Sequence, residues 1–117
     1  MPQFVILRHT FPPGNERADH FDVMLEDGDT LLTWAIAAMP SATKQLAAEL
    51  SPHRRAYLTY EGPVLNNRGE VQRVAAGNFT WLVREAEKLL AKIESPQLSG
   101  LLHWEQGENN GWSLWLE

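Results

Sequence analysis

Residues 3–9 (QFVILRH) form an apolar run rich in branched side chains, and Pro12, Pro13 and Gly14 follow closely, so the pattern predicts a buried strand entering a loop. His9 stands at the end of that strand. Residues 19–26 (DHFDVMLE) alternate, with His20, Asp22, Met24 and Glu26 on one face and Phe21, Val23 and Leu25 on the other. This predicts a second strand. The EDGD segment at 26–29 predicts a hairpin turn, and LLTWAIAAM at 31–39 a third strand. Ser41 ahead of KQLAAEL (44–50) predicts a capped short helix, because a serine oxygen satisfies free backbone N–H groups ahead of strong helix formers. Pro52 should stop that helix by about His53.

Further along, residues 56–60 (AYLTY) read as a strand, 62–69 (GPVLNNRG) as a loop and 70–75 as a strand closed by Gly77. Segment 79–94 supports two readings. Leu82, Ala86, Leu89, Leu90 and Ile93 have helical spacing, whereas FTWLV and LLAKI read as two strands about a polar turn at 85–88; the local pattern favours the helix. SGLLHWEQ (99–106) and GWSLWLE (111–117) flank GENNG (107–111) as a C-terminal hairpin. The short strands, roughly six to eight, predict a mainly β domain: a small closed or partly open β-barrel with one short helix.

Composition narrows this picture. A chain of 117 residues is expected to form a single domain over 1–117, since a length of this order supports one core. Cysteine is absent, so any bound metal must be held by nitrogen and oxygen donors. No apolar run is long enough to span a bilayer and the N-terminus lacks the pattern of a signal peptide, which leaves a cytoplasmic location and no membrane contact as the expectation. The net charge of −5 argues against broad electrostatic binding of nucleic acid and confines any such contact to a local basic patch. Arg8, Arg17, Arg54 and Arg55 are the candidates for that patch, because each lies beside or near a histidine.

The candidate chemistry follows from the alternation. His20 and Asp22 project from the same strand face roughly 6.5 to 7 Å apart, and His9 at the end of the neighbouring apolar strand offers a third donor. Two imidazoles and a carboxylate suit Mn²⁺, Fe²⁺ or Zn²⁺ and do not separate these ions. A His-x-Asp pair on a strand is more often a surface hydrogen-bonding pair than a metal site, so spacing alone favours the former. Glu26 is placed to orient a ligand histidine. His103 reads as a structural or surface residue on the outward side of its strand, and Trp34, Trp81, Trp104, Trp112 and Trp115 as core or barrel wall. The acidic 27–29 turn lacks the remaining spacing of a calcium loop.

Taken together, FVILRH, HFDVMLE, LLTWAI, HRRAY at 53–57 and YEG at 60–62 resemble, in order and approximate spacing, the 3′-phosphoesterase domain of bacterial DNA ligase D. The resemblance covers about 3–77 and extends weakly to LSGLLHW and GWSLWL. It implies a small β-barrel and a Mn²⁺-dependent phosphoesterase that trims 3′ ends of DNA or DNA-RNA strands, with Zn²⁺ as another candidate ion. On this likeness His9, His20 and Asp22 match metal ligands, His53 matches a histidine that contacts the reacting phosphate, and Tyr57 an active-site tyrosine. It also favours two strands over a helix in 79–94.

The chain departs from the family at three cationic positions, where Met24, Ala38 and Gln45 stand instead of two arginines and a lysine. The family also carries functional residues on an arm ahead of its first strand, where this sequence begins. The resulting expectation is a phosphoesterase-like domain acting on DNA or RNA 3′ ends in repair, alongside separately encoded ligase or polymerase proteins. Two alternatives stay open: a non-catalytic nucleic-acid- or protein-binding accessory module that has lost turnover, and a small-molecule phosphoesterase, which the acidic net charge suits better.

Overall fold

The computed structural model describes residues 1–66 and 68–117; Asn67, within the expected 62–69 loop, lies outside them. Strand β1 (Gln3–Thr10) is buried on both faces, which explains its near-continuous apolar run. Phe4 and Ile6 enter one apolar cluster, while Val5 and Leu7 enter another on the opposite side of the wall. The first cluster fills a barrel. The second is an apolar patch on the barrel's outside, and it leads into the candidate site.

Eight antiparallel strands close the barrel: β1, β2 (His20–Asp27), β3 (Thr30–Ile36), β4 (Gln45–Arg54), β6 (Glu70–Arg84), β7 (Lys88–Glu94), β8 (Ser99–Gln106) and β9 (Trp112–Leu116). Their order is β1-β2-β3-β4-β9-β8-β7-β6, and β6 returns to pair with β1; the two-residue β5 (Gly62–Pro63) adds to β6. The β1–β6 pairing closes the wall, and the shortest ladder in it is β4–β9, which pairs only Gln45–Ala47 of β4 with β9. Trp34, Trp104 and Trp112 occupy the interior, with the Trp34 and Trp104 ring centres 5.1 Å apart, as the tryptophan pattern predicts.

The short helix expected at 44–50 is absent, and no α-helix occurs among the described residues. Residues 45–50 (QLAAEL) belong instead to β4, which pairs with β3 on one side and, over Gln45–Ala47, with β9 on the other. Helix propensity is worth at most about 0.7 kcal/mol for ordinary residues, whereas an unformed β4 would leave the ladders of both neighbours open. Ser41 caps no helix: its Oγ accepts from Thr43 N at 3.2 Å in the β3–β4 loop.

The strand expected at 56–60 is likewise replaced, by a 3-10 turn at Arg55–Leu58. Leu58 and Tyr57 pack on the outer apolar patch, which an extended strand would leave uncovered. Nor does Gly77 close a strand. β6 runs through it, and a Cβ there would lie 2.0 Å from Glu94 O, so glycine permits the close passage of the middle of β6 past the end of β7. Segment 79–94 forms two strands about a turn at 85–87, with Leu89, Ala91 and Ile93 alternately buried and Leu82 exposed; helical spacing there is coincidental.

Candidate metal centre and cleft

The parity that buries Val5 and Leu7 on the outer side of β1 continues to His9, and on β2 it carries Met24 on to Asp22 and His20. β1 and β2 pair in a register that sets His9 directly opposite His20. Their ring centres are 5.0 Å apart, and one donor atom from each of His9, His20 and Asp22 lies within 4.8 Å of the others. The three candidate ligands therefore converge at one end of the outer wall.

Hydrogen bonds sort the ring nitrogens. His9 Nε2 lies 2.6 Å from the Arg68 carbonyl, and His20 Nδ1 lies 3.2 Å from the Ala18 carbonyl. A carbonyl only accepts, so these nitrogens carry the hydrogens and the other two, His9 Nδ1 and His20 Nε2, hold the lone pairs of the neutral rings. Both of these nitrogens face the buried Asp22 carboxylate, His9 Nδ1 at 3.3 Å from Oδ2 and His20 Nε2 at 3.0 Å from Oδ1, so each meets it with a lone pair in the neutral ring and with an N–H in the protonated one. The approach to Oδ1 is not aligned as a hydrogen bond, so this oxygen is buried without a hydrogen-bond partner among the described residues.

Lone pairs facing a carboxylate repel unless positive charge lies among them. Burial pushes the Asp22 carboxyl upward, but the contacts and charges of His20 and His9 outweigh it and hold it at about 2. Contact with that carboxylate raises the proton affinity of His20, against the opposing effects of burial and the Arg17 charge. The orphaned Oδ1 and the two inward-facing ring nitrogens are donors that one cation among them would satisfy. Two imidazoles whose distal N–H groups are anchored to carbonyls, with one carboxylate, match the donor set and outer-sphere pattern of divalent transition-metal sites.

The triad lies in a cleft of about 400 Å³ whose lining includes Arg17, Met24, His53, Arg54, Tyr57 and Arg68. His53 Nδ1 donates to the Ser51 carbonyl at 2.9 Å, and its ring meets that of Tyr57 edge-on at 5.8 Å. The cleft is thus where the sequence-predicted ligands, His53 and Tyr57 meet. Three arginines against one carboxylate make its lining basic within a chain of net charge −5.

Other predictions require correction. Arg8 is the register partner of Phe21, which faces the inner cluster, so it projects from the side of β1 opposite His9. Arg55 is not in the cleft lining and is ion-paired with Glu26. Glu26 orients no histidine; it binds Arg55 and accepts from Gln3 N at 2.9 Å. Ala38 and Gln45 also lie away from the cleft, and the Gln45 amide bonds both Ala38 N and Ala38 O, at 3.0 and 2.8 Å. Of the three lost cationic positions, only Met24 lines the cleft. His103 is structural, stacked on Trp115 and 3.1 Å from Glu117.

The sequence reading missed Arg68 and Phe11. Arg68 sits in a segment that looks like a plain connection, yet Gly69, with φ of +84° and a backbone so close to Thr10 that an added Cβ would lie 2.0 Å from Thr10 O, lets that segment pack against the end of β1. The glycine is the legible signal. Phe11 stacks on His9 with ring centres 4.4 Å apart, and its only trace in the sequence is its place two residues beyond the histidine.

The family model for the DNA ligase D 3′-phosphoesterase domain matches residues 14–114. The match contains His20, Asp22, His53 and Tyr57, while His9 precedes it and joins the site through β1 pairing. It also extends well past the stretch in which the sequence motifs are clear. A search of curated proteins gave no match. No helix among the described residues is long and apolar enough to cross a membrane. On the breadth of the family match, the chain belongs to the DNA ligase D 3′-phosphoesterase domain family.

Proposed function

We propose that the cleft holds a divalent cation, Mn²⁺ or Zn²⁺, through His9 Nδ1, His20 Nε2 and the Asp22 carboxylate, and that the protein hydrolyses phosphate esters at 3′ ends of DNA or RNA strands during repair. The observation that carries this reading is the convergence of His9 Nδ1 and His20 Nε2 on a buried carboxylate with an orphaned oxygen, while the other nitrogen of each ring is held by a backbone carbonyl. A bound divalent cation supplies Lewis acidity, drawing charge from a phosphoryl oxygen and making water more acidic.

The chain's own residues complete the chemistry. With Nδ1 committed to the Ser51 carbonyl, His53 exchanges protons through Nε2. As water adds to phosphorus and the bond to the leaving oxygen breaks, a protonated His53 gives its Nε2 proton to that oxygen, and the proton shed by the attacking water passes through solvent to restore it. Tyr57, beside His53 in the cleft, offers a hydroxyl donor to the phosphate. The basic lining suits a polyanionic substrate better than a neutral one. Separately encoded ligase or polymerase proteins are the partners expected by family analogy.

The test is incubation with Mn²⁺ and a duplex bearing a recessed 3′-phosphate or 3′-ribonucleotide. Wild-type protein should trim the end, and His20→Ala should lower the rate by at least about 100-fold. Binding of the duplex without turnover would favour an accessory module instead, a reading supported by the apolar Met24 in the cleft wall. Hydrolysis confined to generic small phosphoesters would point to a metabolite substrate.

A further inference from the structure

We infer that the loop between β1 and β2 builds a phosphate clamp, in which Phe11 holds the Arg17 guanidinium beside the His9–His20–Asp22 triad to bind the substrate's phosphate. This deepens the reading proposed above and rests on it. The Phe11 ring stacks on His9 at 4.4 Å and 21° and lies 5.7 Å from His20, while the Arg17 Cζ lies 5.1 Å from the centre of the same ring. One aromatic plate thus contacts two candidate metal ligands and a cation.

The loop is braced to keep that arrangement. Asp19 Oδ1 accepts from Phe11 N at 2.8 Å, Pro12 O accepts from Asn15 N at 3.1 Å, and Asn15 Oδ1 accepts from Arg17 N at 2.9 Å. Arg17 also stays free of carboxylates: among the described residues it makes no ion pair, whereas Arg55 and Arg84 are bound to Glu26 and Asp27. In a chain with 15 acidic and 10 basic residues, an unpaired guanidinium in a cleft wall is available to an anion. Its planar fork matches two phosphate oxygens, and stacking on Phe11 fixes it before the ligand arrives. Phe11 is accordingly a positioning residue and Arg17 a substrate-binding one.

Calorimetric titration of the full chain with Mn²⁺, followed by inorganic phosphate as the probe, tests this. Arg17→Ala should keep Mn²⁺ affinity within about twofold and weaken phosphate binding by about tenfold or more, with Arg17→Lys recovering only part because an ammonium has no fork. Arg55→Ala removes the same charge outside the cleft and should leave phosphate binding unchanged. Phe11→Leu should weaken phosphate binding in the wild-type background and add nothing in the Arg17→Ala background, a coupling that a merely structural role for the ring would not produce. Unchanged phosphate affinity in Arg17→Ala, or an equal loss in Arg55→Ala, would overturn the clamp while the metal site stood. Failure of the wild-type chain to take up Mn²⁺ in the first titration would remove the site reading and the clamp together.

Discussion

His9 and His20 are register partners across the β1–β2 ladder, and their rings, 5.0 Å apart and tilted by 49°, flank the carboxylate of Asp22. The backbone ladder thereby sets the spacing of the two imidazoles, and the Arg68 and Ala18 carbonyls set which nitrogen of each faces inward. A site built on strands in this way needs little rearrangement to bind an ion.

Metal binding should therefore stabilise the fold. A ligand at about 100 times its Kd adds about 2.7 kcal/mol, which for a chain of this size raises Tm by roughly 10 °C. Differential scanning calorimetry with Mn²⁺ or Zn²⁺ should show this rise in wild-type protein and none in Asp22→Ala or His20→Ala.

The metal-free protein should carry a pH signature of the same residues. Asp22 is held at about 2 against an ordinary 3.8, so its contribution, on the order of 2 kcal/mol, is present above pH 3.8 and lost as pH falls through its folded value. His20 has a proton affinity raised above its ordinary 6.5, so its contribution is full below that pH and disappears as pH rises through the folded value. Urea midpoints of the metal-free chain should be higher at pH 5 than at pH 8, and Asp22→Asn should flatten the difference.

The two-sided burial of β1 makes a further prediction. Ile6 and Leu7 are both fully buried but belong to different clusters, so Ile6→Ala and Leu7→Ala should each cost about 2–5 kcal/mol in chemical denaturation. A barrel whose outer wall was simply solvated would show a small effect for Leu7→Ala.

Gly69→Ala should lower stability by more than about 1 kcal/mol, because φ is +84° and the added Cβ would meet Thr10 O at 2.0 Å. It should also weaken metal binding, by displacing the Arg68 carbonyl that accepts from His9. Equilibrium unfolding and a metal titration on the same variant separate the two effects.

Much of the architecture is visible in local pattern, and the misses share a cause. The period-two alternation of HFDVMLE exposes the His20–Asp22 pair, and the C-terminal hairpin announces itself by the GENNG turn. KQLAAEL and AYLTY mislead because their conformations are decided by distant partners, the one by ladders to β3 and β9 and the other by the apolar patch that Leu58 covers. Arginine positions are the least legible. Arg54 and Arg55 are adjacent, yet one lines the cleft and the other pairs with Glu26 on β2, a distinction set by how the turn after β4 packs.

A crystal structure grown with Mn²⁺ and phased on its anomalous signal tests the central claim most directly. The account predicts a single strong peak roughly 2.0–2.3 Å from His9 Nδ1, His20 Nε2 and an Asp22 oxygen, with His9 Nε2 still bonded to the Arg68 carbonyl. A fully supplied crystal with no peak there, or an ion held through the opposite ring nitrogens, would contradict it.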